Sequence, residues 1–185
     1  MKHITISEVG PRDGLQSVET TLSTEAKLAW IEAEYAAGVR EIEVGSFVSP
    51  KLLPQMADTE AVVRGAQHLE GLIIAVLVPN VRGFESALRA GAHKISIPLS
   101  LSETHSLKNV RRTHAQMLDE IRSCLKLVEA MPESEKPVFE VGLSTAFGCT
   151  LEGVVPESFV VEMAERVLDL GVAEVGLSDT TGMGN

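Results

Sequence analysis

Short apolar runs alternate along this chain with longer segments whose apolar residues recur every three to four positions. Ile4-Thr5-Ile6-Ser7 alternates with a period of two and predicts a first strand. Residues 23–36 have helical spacing, with Ser23 placed as N-cap and Gly38 suited to closing the helix. A second strand is predicted over 40–47. Asp58 then caps a helix running through His68, which ends before Gly71. The β-branched and aliphatic run at 72–78 predicts a third strand buried on both faces. Pro79-Asn80 ends it, and a helix runs from Gly83 to Gly91. Residues 94–99 form a fourth strand, and one long helix is expected over 108–131. Residues 138–144 read as a fifth strand, 156–170 as a helix with proline in its first turn, and 173–178 as a sixth strand.

The recipe is strand, helix, strand, helix, with parallel pairing and right-handed crossovers expected. No linker, low-complexity tract or shift in composition divides the chain, so one domain over 1–185 is expected. An open doubly wound sheet and a (β/α)8 TIM barrel both fit. A nucleotide-binding open sheet would carry G-x-G-x-x-G after its first strand, and that motif is missing here. The polar residues favour the barrel. Arg12, Asp13 and Gln16 follow strand one, and Glu43 and Ser46 lie in strand two. Asn80 ends strand three, Ser100 to His105 follow strand four, Ser144 to Cys149 end strand five, and Asp179-Thr180-Thr181-Gly182 end strand six. Every cluster falls at a C-terminal strand end, which in a barrel is one mouth. A closed barrel needs about 250 residues. Six strands and five helices stop short of closure, so the chain is expected to be part of a larger barrel.

Charge removes some function classes. A formal net charge of −10 argues against binding a phosphate backbone, which needs clustered Lys and Arg. Lys108, Arg111 and Arg112 are the one local basic concentration, enough to meet the phosphates of a small ligand but equally a solvated helix start. The two cysteines, Cys124 and Cys149, lack metal-like spacing, and a reducing cytoplasm is the simplest compartment. The N-terminus lacks the regions of a signal peptide, and the longest apolar run, 72–78, is too short to span a bilayer. A cytoplasmic protein off the membrane is expected.

The densest chemistry lies in Glu8-Val9-Gly10-Pro11-Arg12-Asp13-Gly14-Leu15-Gln16. Gly10-Pro11 breaks the strand, since proline has no N–H and fixes φ while glycine tolerates a sharp bend. Three ionisable groups and an amide then crowd one strand end, a costly arrangement unless a ligand or metal uses it.

This stretch resembles the hydroxymethylglutaryl-CoA lyase family, within the metal-dependent TIM-barrel lyases and Claisen-type synthases. Further matches are Glu43-Val44-Gly45-Ser46-Phe47-Val48-Ser49-Pro50-Lys51 with Pro54-Gln55-Met56, and Val78-Pro79-Asn80. Ser102-Glu103 with Lys108-Asn109, Phe147-Gly148-Cys149 with Glu152-Gly153, and Asp179-Thr180-Thr181-Gly182 complete them, in the family's order. Val9-Gly10-Pro11 before Arg-Asp is similar to the lyase branch, because the synthases that use 2-oxo acids usually show Thr-Leu-Arg-Asp-Gly.

The resemblance implies retro-Claisen cleavage of 3-hydroxy-3-methylglutaryl-CoA to acetoacetate and acetyl-CoA, as in leucine degradation. Such a reaction needs a Lewis acid on the C3 oxygen, a base for its proton and a positive group facing the enolate oxygen. The resemblance assigns Asp13 as ligand to Mg²⁺ or Mn²⁺ and Arg12 to the enolate. Glu43 orients Arg12 or a water held by the metal, and Asp179 meets the substrate hydroxyl or such a water, or moves a proton. Gln16, Ser46, Asn80, Ser144 and Cys149 are candidate substrate-binding positions; Cys149 is equally a small core residue. Glu8 is expected to be structural, His105 a surface residue and Cys124 a packing residue. The family's His-x-His pair and its Asn ligand do not occur here, so the remaining ligands are expected beyond residue 185, and this stretch alone is expected to be inactive. Related 3-hydroxy-acyl-CoA cleavage, Claisen condensation, and a non-catalytic partial barrel acting through protein association stay open beside this reading. Exposed strand edges lead to the expectation of a homo-oligomer.

Overall fold

The structure, a computed structural model, describes residues 4–184. Its strands are β1 (Ser7–Glu8), β2 (Glu41–Ser46), β3 (Ile73–Leu77), β4 (Lys94–Ser100), β5 (Val138–Ser144) and β6 (Glu174–Leu177). Its α-helices are α1 (Thr24–Ala36), α2 (Thr59–Ala66), α3 (Val81–Ala90), α4 (Glu103–Asn109), α5 (His114–Glu129) and α6 (Glu157–Leu168). The strands follow one another in the sheet in chain order, β1-β2-β3-β4-β5-β6. The β1–β2, β2–β3 and β5–β6 pairs are parallel. A doubly wound sheet reverses strand order at its switch point, whereas sequential parallel strands with intervening helices are the topology of a (β/α)8 barrel. The fold class expected from the sequence is therefore the one found, represented by six of its strands. Among the described residues no helix is long and apolar enough to cross a membrane.

The chain divides into two compact units, one of residues up to Val78 with Arg82–Ile95, the other of Pro79–Val81 with residues from Ser96 onward. In the first, Ile42, Val44, Ile74 and Val76 of the sheet, Ile31 of α1 and Val62 and Val63 of α2 are buried and supply the apolar core. The pairing of β2 with β3 slips between Glu43 and Gly45, leaving Val44 as an extra residue. Such a bulge twists the strand locally and re-aims its side chains. Next to it, a Cβ on Gly45 would sit 2.5 Å from Thr59 Oγ1 and 2.8 Å from its Cγ2. Thr59 cannot retreat, because its hydroxyl accepts the Ser46 N–H at 3.1 Å and lies 2.8 Å from the Met56 carbonyl. Gly45→Ala is accordingly expected to destabilise the protein by about 1–3 kcal/mol, the usual range for overpacking, measured as a lower urea midpoint at unchanged slope.

In the second unit, Phe139, Val141 and Leu143 of β5, Met117, Ile121 and Cys124 of α5, and Met163 and Val167 of α6 are buried and supply the apolar core. Cys124 is a packing residue, as expected.

Three expectations need correction. The first strand is Ser7–Glu8, paired with Glu41 and Ile42, and the alternating residues before it, Ile4 and Ile6, stay exposed because no ladder reaches them. The helix expected over 108–131 is two helices. Ser102 Oγ accepts the His105 N–H and starts α4, and a reciprocal Thr113–Gln116 capping box starts α5. Arg111, at φ 56°, turns the chain between them. Asp58 precedes α2 but its side chain caps nothing. Its carboxylate instead pairs with Lys27 Nζ and accepts the Thr24 hydroxyl at 2.7 Å.

Candidate active site

In the first unit, the turn after β1 is wider than an α-helical one, because the Leu15 N–H donates to the Gly10 carbonyl five residues back. Buried Pro11 contributes no N–H, and the Asp13 N–H donates to the Val9 carbonyl at 2.7 Å. This turn, Gly10–Gly14, carries Arg12 and Asp13 beside the bulged end of β2. The Arg12 Nε and Nη2 groups both donate to Glu43 Oε2 at 2.6 Å, and Nη1 donates to Asp13 Oδ1 at 2.7 Å. The Gln16 amide donates to the same Asp13 oxygen at 3.0 Å. Arg12, Asp13, Gln16 and Glu43 are thus brought together. Glu43 is nearly buried, its side chain 9% exposed, whereas Asp13 is open at 55%. Glu8 Oε1 accepts the Gly10 N–H, which fits the structural role expected of it.

The cluster has two chemical capacities. Two carboxylates around one guanidinium give a formal charge of −1, which favours a cation nearby. A guanidinium has five N–H donors, and three are used here, which leaves one on each Nη for an oxygen brought to it. Ser46, three residues after Glu43 on β2, takes no part in these hydrogen bonds: its backbone is held by Thr59, and its buried hydroxyl has no hydrogen bond among the described residues.

The second unit holds the other candidates. Ser144 Oγ is buried without a hydrogen-bond partner among the described residues, and Asn80 directly precedes α3. Both Asp179 oxygens accept backbone N–H groups, of Met183 at 2.9 Å and Gly184 at 3.0 Å, so its carboxylate organises its own turn. Cys149 is wholly buried. Desolvation raises its pKa, but the Ser102 hydroxyl and the N–H groups of Leu151 and Glu152 outweigh it, and the thiol sits below its ordinary value. Arg112 pairs with Glu120, its Nη2 donating to Glu120 Oε1 at 2.6 Å.

Sequence reasoning missed a polar network at these strand ends. Thr145, buried and at φ 59°, is a β-branched residue in the left-handed region, a strained backbone held by its surroundings. Its hydroxyl accepts the Ser102 N–H at 3.0 Å, and its N–H donates to Thr180 Oγ1 at 2.8 Å. His105, expected on the surface, instead lies half-buried on α4 with Nδ1 2.8 Å from Ser100 Oγ. A Thr between two strand-end motifs carries no signal of positive φ, and the Ser100–His105 spacing becomes legible only once the start of α4 is known.

Glu152 accepts the Thr104 N–H at 2.8 Å. Hydrogen bonds from Thr104 lower its pKa most; burial opposes them, while Ser102 and the charge of His114 add to the lowering. A depressed carboxylate adds stability that is present in full above its unfolded pKa and is lost as pH falls through the folded one. Glu152→Gln is expected to flatten that acid limb of the stability–pH curve, read from denaturation midpoints across the acid range. Because Glu152 is exposed, the change is small and fades with added salt.

A family model described as HMGL-like matches residues 3–185. The chain belongs to the HMGL-like family. It is 38% identical over 184 residues to hydroxymethylglutaryl-CoA lyase YngG of Bacillus subtilis, covering 100% of this chain and 60% of that protein. It is 37% identical over 183 residues to the mitochondrial hydroxymethylglutaryl-CoA lyase of Homo sapiens, covering 99% and 55%. Its fold matches an HMG-CoA lyase from Acinetobacter baumannii, solved in complex with coenzyme A and 3-methylmalate, with a TM-score of 0.90 and 36% identity over 98% of this chain and 58% of that one. The chain thus spans between half and two thirds of the length of these HMGL-like relatives.

The family implies a divalent ion, and the donor set here tests the fit. Asp13 offers a hard oxygen, Oδ2, which takes no hydrogen bond among the described residues. No three His, Cys, Asp or Glu side chains among the described residues gather around one point. These residues fit as the source of one ligand, not as a complete site.

Proposed function

We propose that the full-length protein to which this chain belongs is a carbon–carbon lyase that cleaves 3-hydroxy-3-methylglutaryl-CoA to acetoacetate and acetyl-CoA. The observation that carries the proposal is the Arg12–Asp13–Glu43 cluster, set on a wide turn in a chain of the HMGL-like family. In the proposed reaction the C3 hydroxyl loses its proton, the C3–O bond becomes a carbonyl, and the C2–C3 bond breaks. Its electron pair passes to C2 as the acetyl-CoA enolate, which a proton then quenches.

Glu43 holds the guanidinium from one side, and Arg12 offers its two remaining N–H groups to the oxygen on which negative charge grows. Asp13 would hold the Mg²⁺ or Mn²⁺ ion with ligands supplied from outside these residues. When bound, that ion supplies Lewis acidity to the substrate's C3 oxygen. Gln16 keeps Asp13 Oδ1 occupied, which leaves Oδ2 as the ligating atom. Asp179, Asn80, Ser46, Ser144 and Cys149 are proposed to serve substrate positioning or proton transfer on the strength of their motifs. The partner is a small acyl-CoA, taken up by a homo-oligomer in a reducing cytoplasm where the thiols of Cys124 and Cys149 stay reduced.

Product analysis separates this reading from a condensing enzyme on the same barrel. The full-length protein, given 3-hydroxy-3-methylglutaryl-CoA with Mg²⁺, is expected to release acetoacetate and acetyl-CoA in equal amounts. Given acetyl-CoA and a 2-oxo acid, it is expected to form no new carbon–carbon bond. Condensation without cleavage would replace the lyase reading.

A further inference from the structure

Trp30, the chain's one tryptophan, stands on α1 outside every motif discussed above. Its ring carbons Cζ2 and Cη2 lie 2.9 and 3.1 Å from the point a Cβ on Gly10 would occupy, and Glu8 Oε1 lies 2.6 Å from the same point. Glu8 Oε1 also accepts the Gly10 N–H at 2.6 Å, and the indole N–H donates to Glu34 Oε1 at 3.0 Å, which sets the ring's orientation on its helix. Gly10 is thereby gripped by a carboxylate and an aromatic ring, and its carbonyl accepts the bond that makes the turn wide.

A wide turn competes with the ordinary α-helical one. The Asp13 N–H already bonds four residues back, to the Val9 carbonyl, so the local alternative is close at hand. Shifting the turn by one residue would rotate Arg12 and Asp13 by about 100° around its axis, given 3.6 residues per turn. Such a rotation would carry the guanidinium away from Glu43 and the carboxylate away from Gln16.

We propose that Trp30 is a positioning residue: with Glu8 it clamps Gly10, holds the wide turn open, and so aims Arg12 and Asp13. The clamp stands on geometry alone; its catalytic meaning rests on the function proposed above. The side chain acts through the backbone of the turn and touches no reacting atom.

Amide hydrogen exchange on the 185-residue chain tests the clamp through the N–H groups of Asp13 and Leu15. Those of Phe47 and Ile73, bonded to Leu77 and Arg40 within the same unit, serve as reference. Trp30→Leu is expected to speed exchange at Asp13 and Leu15 about tenfold while Phe47 and Ile73 stay within about twofold. Trp30→Phe, which keeps a flat ring against Gly10, is expected to restore slow exchange. Gly10→Ala, which places a methyl group inside the grip, is expected to behave like Trp30→Leu. Equal rates at Asp13 and Leu15 in wild type and Trp30→Leu would overturn the clamp, as would equal acceleration at all four amides. In the full-length protein, Trp30→Leu is expected to lower kcat about tenfold with KM within about twofold, because aim is lost while substrate contacts remain. An opened turn with kcat unchanged would overturn the positioning role. If the wild-type protein cleaves nothing, the lyase reading fails, and the exchange data still decide the clamp.

Discussion

Arg12→Gln is expected to lower kcat of the full-length protein by about two to three orders of magnitude, the usual cost of losing a preorganised donor at a developing oxyanion, about 3–4 kcal/mol. Glutamine keeps two N–H donors but no charge, so it can neither balance Glu43 nor meet an enolate as a cation. Arg12 takes Glu43 through two nitrogens at 2.6 Å and Asp13 through a third at 2.7 Å. A lysine at this position keeps the charge but cannot span both carboxylates with a planar fork. Arg12→Lys is therefore expected to regain part of the lost stability and little of the lost kcat. Steady-state kinetics alongside a denaturation curve separate the two effects. A glutamine variant with unchanged kcat would remove Arg12 from the mechanism.

Lys27→Met is expected to give the largest loss of stability. The Lys27 side chain is 2% exposed, and its ammonium donates to the Gln55 carbonyl at 2.5 Å and pairs with Asp58. Methionine fills similar volume but leaves that carbonyl without this donor and the Asp58 carboxylate without its cation. Breaking a fully buried pair costs about 3–5 kcal/mol. Asp58 is 25% exposed, and water partly replaces the missing charge, so the low end, about 3 kcal/mol, is expected. The double variant Lys27→Met with Asp58→Asn is expected to recover part of that loss, because a neutral amide is cheaper to leave half-buried than a carboxylate. Urea denaturation of the four species measures the coupling. A single variant within about 0.5 kcal/mol of wild type would show that the pair contributes little, as exposed surface pairs do.

Much of the fold was legible because periodicity and punctuation agreed. The β-branched run before Pro79 is β3, and Ser23 and Gly38 bracket α1 as their chemistry demands. The misreadings arose where a local signal was overridden at a distance. Ile4 and Ile6 alternate as a strand should, yet a strand exists only where a neighbour pairs with it. Asp58 is a good capping residue by type, but buried Lys27 on α1 claims its carboxylate. The Thr113–Gln116 box that divides the expected long helix was visible in the sequence, but the turn before it rests on Arg111 at φ 56°, a backbone state that no residue type there announces.

The site was legible in part for a different reason. Arg12, Asp13 and Gln16 are close in sequence, so one turn gathers them. Glu43 joins because a parallel neighbour strand brings its end beside theirs. What no pattern announced is the support beneath them. The bulge at Val44, the Thr59 hydroxyl under Gly45 and the Trp30 ring over Gly10 are contacts of shape, and shape is decided only after the chain has packed.

The most direct measurement is the Mn²⁺ dependence of 3-hydroxy-3-methylglutaryl-CoA cleavage by the full-length protein, compared between wild type and Asp13→Ala. If Asp13 carries a ligand oxygen on the turn that Arg12 and Glu43 brace, the variant needs about a hundredfold more Mn²⁺ for half-maximal rate, or shows no rate at all. An Asp13→Ala enzyme that cleaves its substrate at the wild-type rate and the wild-type Mn²⁺ concentration would contradict the account.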